Sequence, residues 1–257
     1  MRITIKIGSN VLTRNDGSLD ATRLSALVDQ VAELRRRGIE VVLVSSGAVA
    51  CGRSVLSHRH DLQTKDAVDE RQLFSAVGQA KLIDRYYELF REHGISVGQV
   101  LTMKQNFDAP EAYETQRNCM EVMLQNGVIP IINENDTVCV TELMFTDNDE
   151  LSGLVARMMH CQRLIILSNI DGLYTGHPAD PASRLIRLVA PTDDLRHVIS
   201  TEKSTAGRGG MESKYHIATE TARQGIEVII ANGKRTDILL QLADNPETTP
   251  CTIFTTA

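Results

Sequence analysis

At 257 residues and 42% hydrophobic content, the chain can bury a large core, and α/β folds of this size often run as one unit, here residues 1–257. A formal charge of -6 without any Lys/Arg-rich run gives no footprint for nucleic acid or an anionic membrane, and 4% aromatic residues with no Trp remove the stacking platform for single strands. Five widely spaced cysteines without a C-x-x-C pair fit reduced thiols in a cytoplasmic protein, and no apolar leader or run of ~20 apolar residues is present to export or anchor it.

In chain order, Ile3 to Ile7 alternate like a strand that Gly8-Ser9 break as a turn, with Lys6 near the strand's end. Leu24, Leu27, Val28, Val31 and Leu34 recur at helical spacing up to Gly38, and Ile39 to Val44 then form a short apolar run. Such a run is buried on both faces, as in a parallel sheet. Helices are predicted near 70–93 and 110–126, and strands at 95–101, 128–132 and 163–168. A helix near 211–224 leads through Gly225 into a strand at Ile226–Ile230, with a last strand near 251–255. This alternation predicts an α/β fold with a mainly parallel, doubly wound open sheet. Segments 136–147 and 171–188 mix β-formers with turn residues and read as hairpins projecting from the sheet edge.

Ligands of open parallel sheets bind beyond the carboxyl ends of the strands. Four predicted strands end in polar or glycine-bearing clusters: Lys6 to Asn10, Ser45-Ser46-Gly47, Asn133 to Asp136, and Ser168 to Gly172. Together they suggest one crevice. Each has a plainer reading by itself. Ser45-Ser46-Gly47-Ala48 opens a helix whose amides suit an anion or simply cap it. Asp147-Asn148-Asp149 precedes a helix and serves as a cap if it stands alone. Residues 207–214, Gly-Arg-Gly-Gly-Met-Glu-Ser-Lys, suit phosphate without matching the Walker or G-x-G-x-x-G patterns, so a structural turn is the commoner explanation. Lys6 on a strand is ordinarily a solvent-facing residue, although its apolar neighbours argue for a function.

Taken together, Lys-Ile-Gly-Ser-Asn at 6–10, Val-Ser-Ser-Gly-Ala-Val-Ala at 44–50, Ala-Val-Gly-Gln at 76–79, Ile-Asn-Glu-Asn-Asp at 132–136, Asp-Asn-Asp at 147–149 and Gly-Gly-Met-Glu-Ser-Lys at 209–214 resemble the amino acid kinase family. The resemblance covers nearly the whole chain and is specific, through Asn-Glu-Asn-Asp with Asp-Asn-Asp, for the glutamate 5-kinase group. It implies a three-layer α/β/α sandwich and ATP-dependent phosphorylation of the L-glutamate side-chain carboxylate, the first step of proline biosynthesis. It implies that Lys6 and Lys214 contact the transferring phosphoryl group, that Asp149 organises them, and that Ser46, Asp136 and Asn148 hold glutamate. Lys6, Gly8, Ser168, Asn169, Arg208, Gly209, Gly210, Met211 and Lys214 would line the ATP site, with Mg²⁺ carried by the nucleotide and no protein metal ligand. Asp136 would suit the α-ammonium of glutamate, and Ser46 and Asn148 its α-carboxylate or backbone-like polar groups.

Two departures bear on nucleotide contacts: the family usually has Thr-Asp at Ser168-Asn169 and a small polar residue at Arg208. The chain stops at Ala257 and so resembles the short form lacking a carboxy-terminal PUA domain. The resemblance further implies feedback inhibition by proline, a homo-oligomer paired through helices flanking the sheet, and functional coupling to glutamate-5-semialdehyde dehydrogenase. The competing readings are a kinase of this fold for another acceptor such as acetylglutamate, and a non-catalytic sensor. A free α-amino group calls for the acid that Asp136 offers, and a sensor has no need of two lysines for charge developing in a transition state.

Overall fold

A computed structural model describes residues 1–59, 62, 66–138, 145, 147–195 and 210–256. The predicted strands form β1 (Arg2–Ile7), β2 (Glu40–Ser45), β3 (Val97–Thr102), β4 (Ile129–Glu134), β5 (Arg163–Ser168), β7 (Glu227–Asn232) and β8 (Cys251–Phe254). A two-residue β6 (Leu188–Val189) adds an edge strand too short to leave a periodic signal. The eight strands make one sheet in the order β3-β4-β2-β1-β5-β7-β8-β6. Every neighbouring pair is parallel except β7 with β8.

Alternation along the strands divides the core between the two sheet faces. Ile3, Ile5, Ile7, Val41, Leu43, Ile165, Leu167 and Ile229 pack on one face with α2 (Ala21–Arg36), the long α4 (Ala67–Glu92) and α9 (Ile238–Asp244). Val42, Val44, Leu164, Ile166, Val228 and Ile230 pack on the other with α6 (Pro110–Gln125), α7 (Asn148–Met158) and α8 (Met211–Arg223). Helices on both faces of a mostly parallel sheet are the three-layer architecture predicted from the alternating pattern. Lys6 has the parity of the second set, so its side chain leaves β1 on the face that α7 covers. Among the described residues no helix is long and apolar enough to cross a membrane.

Two local differences from the sequence reading have physical causes. Gly8-Ser9 is not a simple turn: Gly8 caps α1 (Ser9–Leu12), a single turn whose Val11 and Leu12 plug into the core. The helix α9 has only seven residues, too few for a helical period to stand out, and is held by burying Ile238, Leu239 and Leu242. Segment 171–188 does fold back, through a Tyr174–Leu185 bridge and a Thr175 N–H bond to the Arg184 carbonyl at 2.9 Å, whereas most of the hairpin expected at 136–147 lies outside the described residues.

One packing contact fixes the side of the site. Helix α3 (Ala48–Val55) and α4 meet backbone to backbone through two glycines. A Cβ on Gly78 would lie 1.8 Å from the Ala48 carbonyl oxygen, and one on Gly52 1.8 Å from that of Phe74. This is the physical meaning of the glycine in Ala-Val-Gly-Gln: it brings α4 against the helix that begins at Ser46-Gly47.

Candidate active site

The chain runs from β1 to β2 on one side and returns later to β5 on the other, so the strand order reverses beside the carboxyl end of β1. Open α/β sheets bind ligands at such a switch point. A cavity of about 710 Å³ lies there. Its wall contains Lys6, Gly8, Ser46, Asp136, Asn148, Asp149, Ser168, Asn169, Gly210, Met211 and Lys214. The structure thus brings together every site residue expected from the sequence except Arg208 and Gly209, which lie outside the described residues.

Asp149 is the centre of charge. It is 1% exposed in the first turn of α7, with Lys6 Nζ at 2.5 Å from Oδ1 and Lys214 Nζ at 2.9 Å from Oδ2. Burial by itself would raise its pKa, but the two lysines outweigh it and hold the carboxyl at about 2. One carboxylate therefore places two cations side by side at the cavity floor. Asp147 performs the capping expected of it, with Oδ1 accepting the Asp149 and Glu150 N–H groups at 2.8 and 3.1 Å. Its second oxygen accepts the Ser213 hydroxyl at 2.7 Å, tying the start of α7 to that of α8, which carries Lys214. The capping and functional readings of Asp-Asn-Asp are both true, because one turn of helix serves both.

The opposite wall is polar and layered. Asn148 Nδ2 lies 2.9 Å from Ser46 Oγ and 3.0 Å from Asn133 Oδ1, and Asn133 Nδ2 donates to Gln79 Oε1 at 2.8 Å. Asp136 is not an open carboxylate: Arg71 of α4 pairs with it and also reaches Glu134 Oε2 at 3.2 Å. Arg71, Gln79 and Asn133 had no role in the sequence reading. Gln79 and Asn133 stood inside quoted motifs, whereas Arg71 carried no local signal, since only the docking of α4 brings it to β4.

Glu134 is 2% exposed and accepts the Phe145 N–H at 2.9 Å. Burial and the nearby Asp136 push its carboxyl up to about 7. A carboxyl raised in this way holds its proton in the folded state while the unfolded chain loses it above about 4.3, so stability from this group falls as pH rises from roughly 4.3 to 7. We expect Glu134→Gln to flatten that part of the stability profile in urea titrations at pH 5 and pH 7.5. An unchanged slope would remove Glu134 as its source.

Two adjacent ammonium groups on a buried carboxylate stand beside a helix-capping glycine and a wall of hydrogen-bonding groups at the switch point of a doubly wound sheet, an arrangement suited to binding anionic groups such as phosphates. The chain belongs to the amino acid kinase family, whose sequence model, described as the Amino acid kinase family, matches residues 1–232. Within that family it is 63% identical over 253 residues to the glutamate 5-kinase of Bacteroides thetaiotaomicron, covering 98% of this chain and 69% of that protein. It is 45% identical over 244 residues to the glutamate 5-kinase of Chlorobaculum tepidum, covering 94% and 66% respectively. These relationships place the chain in the glutamate 5-kinase group, and it spans about two thirds of the length of these relatives. A solved isopentenyl phosphate kinase shares the fold with a TM-score of 0.68 at 16% identity, covering 99% of this chain and 100% of that one.

Proposed function

We propose that the chain transfers the γ-phosphoryl group of ATP to the side-chain carboxylate of L-glutamate, giving L-glutamyl 5-phosphate for proline synthesis. The observation that carries this reading is Asp149 gripping both Lys6 and Lys214 at the switch point of the sheet. A glutamate side chain has an ordinary pKa of about 4.3, so at neutral pH the nucleophile is already ionised and no general base is needed. What remains is to align two anions and to neutralise charge on the transferring group's oxygens, which two fixed ammonium groups do.

Gly8, Ser168, Asn169, Gly210 and Met211 line the nucleotide side of the cavity. Asp136, Ser46 and Asn148 form the glutamate side. As for the metal, both oxygens of Asp149 are engaged by lysines, and among the described residues no three His, Cys, Asp or Glu side chains come together to hold an ion. That donor set fits Mg²⁺ arriving on the ATP phosphates, where it neutralises charge when bound, better than a protein cage. Feedback by proline, a homo-oligomer and a cytoplasmic setting belong to the same reading, as does supply of a glutamate-5-semialdehyde dehydrogenase, since an acyl phosphate is labile and has to be reduced promptly.

The deciding experiment measures ADP release from Mg-ATP with L-glutamate, N-acetyl-L-glutamate, L-aspartate or UMP, with and without proline, and traps any acyl phosphate with hydroxylamine. Hydroxamate formed with glutamate alone supports the reading, turnover with another acceptor moves the substrate, and no turnover at all favours a sensor. Asp136→Ala is expected to raise KM for glutamate by about tenfold or more through loss of a charged partner, with KM for ATP nearly unchanged. Equal changes in both would detach Asp136 from the substrate.

A further inference from the structure

The polarity of the Asn148 amide is set from behind the cavity wall. Asn133 is 3% exposed at the end of β4, and its Oδ1 accepts the backbone N–H of Glu134 at 2.9 Å. A backbone N–H can only donate, so it selects one orientation of the Asn133 amide. Gln79 Oε1, on α4 and 7% exposed, accepts from Asn133 Nδ2 at 2.8 Å and holds the other end of that amide, so the orientation rests on both partners. The same Asn133 oxygen faces Asn148 at 3.0 Å, which must therefore present its nitrogen. The Ser45 carbonyl at 3.4 Å asks for the same orientation, and Ser46 Oγ at 2.9 Å receives that nitrogen as well.

The consequence lies in what is left over. With Nδ2 turned into the wall, Asn148 Oδ1 accepts from no group among the described residues, although Asn148 lines the cavity. Ser46 Oγ, used as an acceptor by Asn148, keeps its hydroxyl hydrogen to donate. The two side chains touch, so an acceptor and a donor stand next to each other, a spacing suited to the ammonium and carboxylate on one α-carbon. The sequence left Asn148 and Ser46 to the α-carboxylate or to backbone-like polar groups, and the amide polarity separates their roles.

We propose that Gln79 and Asn133 are positioning residues for substrate selection: they lock the Asn148 amide so that its Oδ1 receives the α-ammonium of the amino-acid substrate while the Ser46 hydroxyl donates to the α-carboxylate. The inference rests on the amino-acid kinase reading above and adds the element that discriminates a free amine. A substrate without the amine leaves Asn148 Oδ1 without its donor, and a site built to pair a polar group rejects analogues that lack it. Gln79 touches no substrate; it acts through two amides in series.

The test compares Gln79→Met, which removes the acceptor behind Asn133 at similar volume, with Gln79→Glu, which keeps it. The readout is the ratio of Ki for glutarate, which lacks the amine, to KM for L-glutamate, alongside kcat, KM for ATP and the melting temperature. In Gln79→Met we expect that ratio to fall roughly tenfold, with KM for ATP and kcat changed less than about twofold and Gln79→Glu within about threefold of the wild type, as for one lost hydrogen bond. A Gln79→Met enzyme that keeps the wild-type ratio overturns the inference, as does a Gln79→Glu enzyme equally impaired. A wild-type protein that turns over no glutamate strikes the functional reading and this inference together, whereas normal wild-type turnover with an insensitive ratio strikes the inference alone.

Discussion

Lys6→Ala is expected to lower kcat by roughly 10²–10³, the usual consequence of removing one preorganised donor from charge developing in a transition state. The geometry makes Lys6 and Lys214 a pair instead of two independent cations. Asp149 is buried and anionic down to a pH of about 2, so throughout the working range it holds both ammonium groups at fixed positions, 2.5 and 2.9 Å from its two oxygens. Removing Lys6 leaves Lys214 as the remaining cation on Asp149, which draws charge from the phosphoryl group instead of sharing it. KM for glutamate should change little, because Ser46, Asn148 and Asp136 lie on the other wall.

Loss of a partner from a buried ion pair also costs stability, so the variant's melting curve has to be recorded beside single-turnover kinetics at saturating ATP. The linkage has a definite sign. The Asp149 carboxyl is depressed in the fold, so its contribution is fully present above the ordinary carboxylate range, near 3.9, and is lost as pH falls through about 2. The kinetic comparison at pH 7 to 8 is therefore free of that titration. Wild-type single-turnover rates in folded Lys6→Ala protein would remove Lys6 from the chemistry, and the same measurement on Lys214→Ala tests its partner.

The second large effect comes from Gly78→Ala, the addition of one methyl group. The added carbon would lie 1.8 Å from the Ala48 carbonyl oxygen and 2.3 Å from the Gly52 nitrogen. Both obstacles are backbone, and neither can yield without separating α3 from α4. Overpacking of this kind costs about 3 kcal/mol, which for a domain of this size lowers the melting temperature by roughly 6–12 °C. Gly176→Ala is the control, since among the described residues its new carbon would meet only Ser183, at 3.6 Å and 4.0 Å. Separation of the helices also moves Gln79 and Arg71, both on α4, away from Asn133 and Asp136, so KM for glutamate should rise with the loss of stability. Equal melting temperatures for the two variants would show that α3 and α4 are not in backbone contact.

Much of this architecture was legible in the residues. Runs such as Val41 to Val44 and Leu164 to Leu167 are apolar on both faces, as befits central parallel strands that bury five successive residues. Lys6, Ser46, Asn148, Asp149 and Lys214 stood out only when their short motifs were taken together as resembling a known family, since each motif alone also fits a cap or a turn. A seven-residue α9 and a two-residue β6 were not, because neither is long enough to display a period.

What the sequence by itself determined was the class of fold and the polar, glycine-bearing motifs at the strand ends that mark the crevice. Only the tertiary structure decided which charges meet and which way the amides point. Arg71 reaches Asp136 across 65 positions of sequence, and Gln79 reaches Asn133 across 54. The physical reason is that hydrogen-bond polarity and ion pairing belong to the partner as much as to the residue. Partners brought together by the docking of α4 on α3 and β4 leave no periodic or local trace in the chain that encodes them.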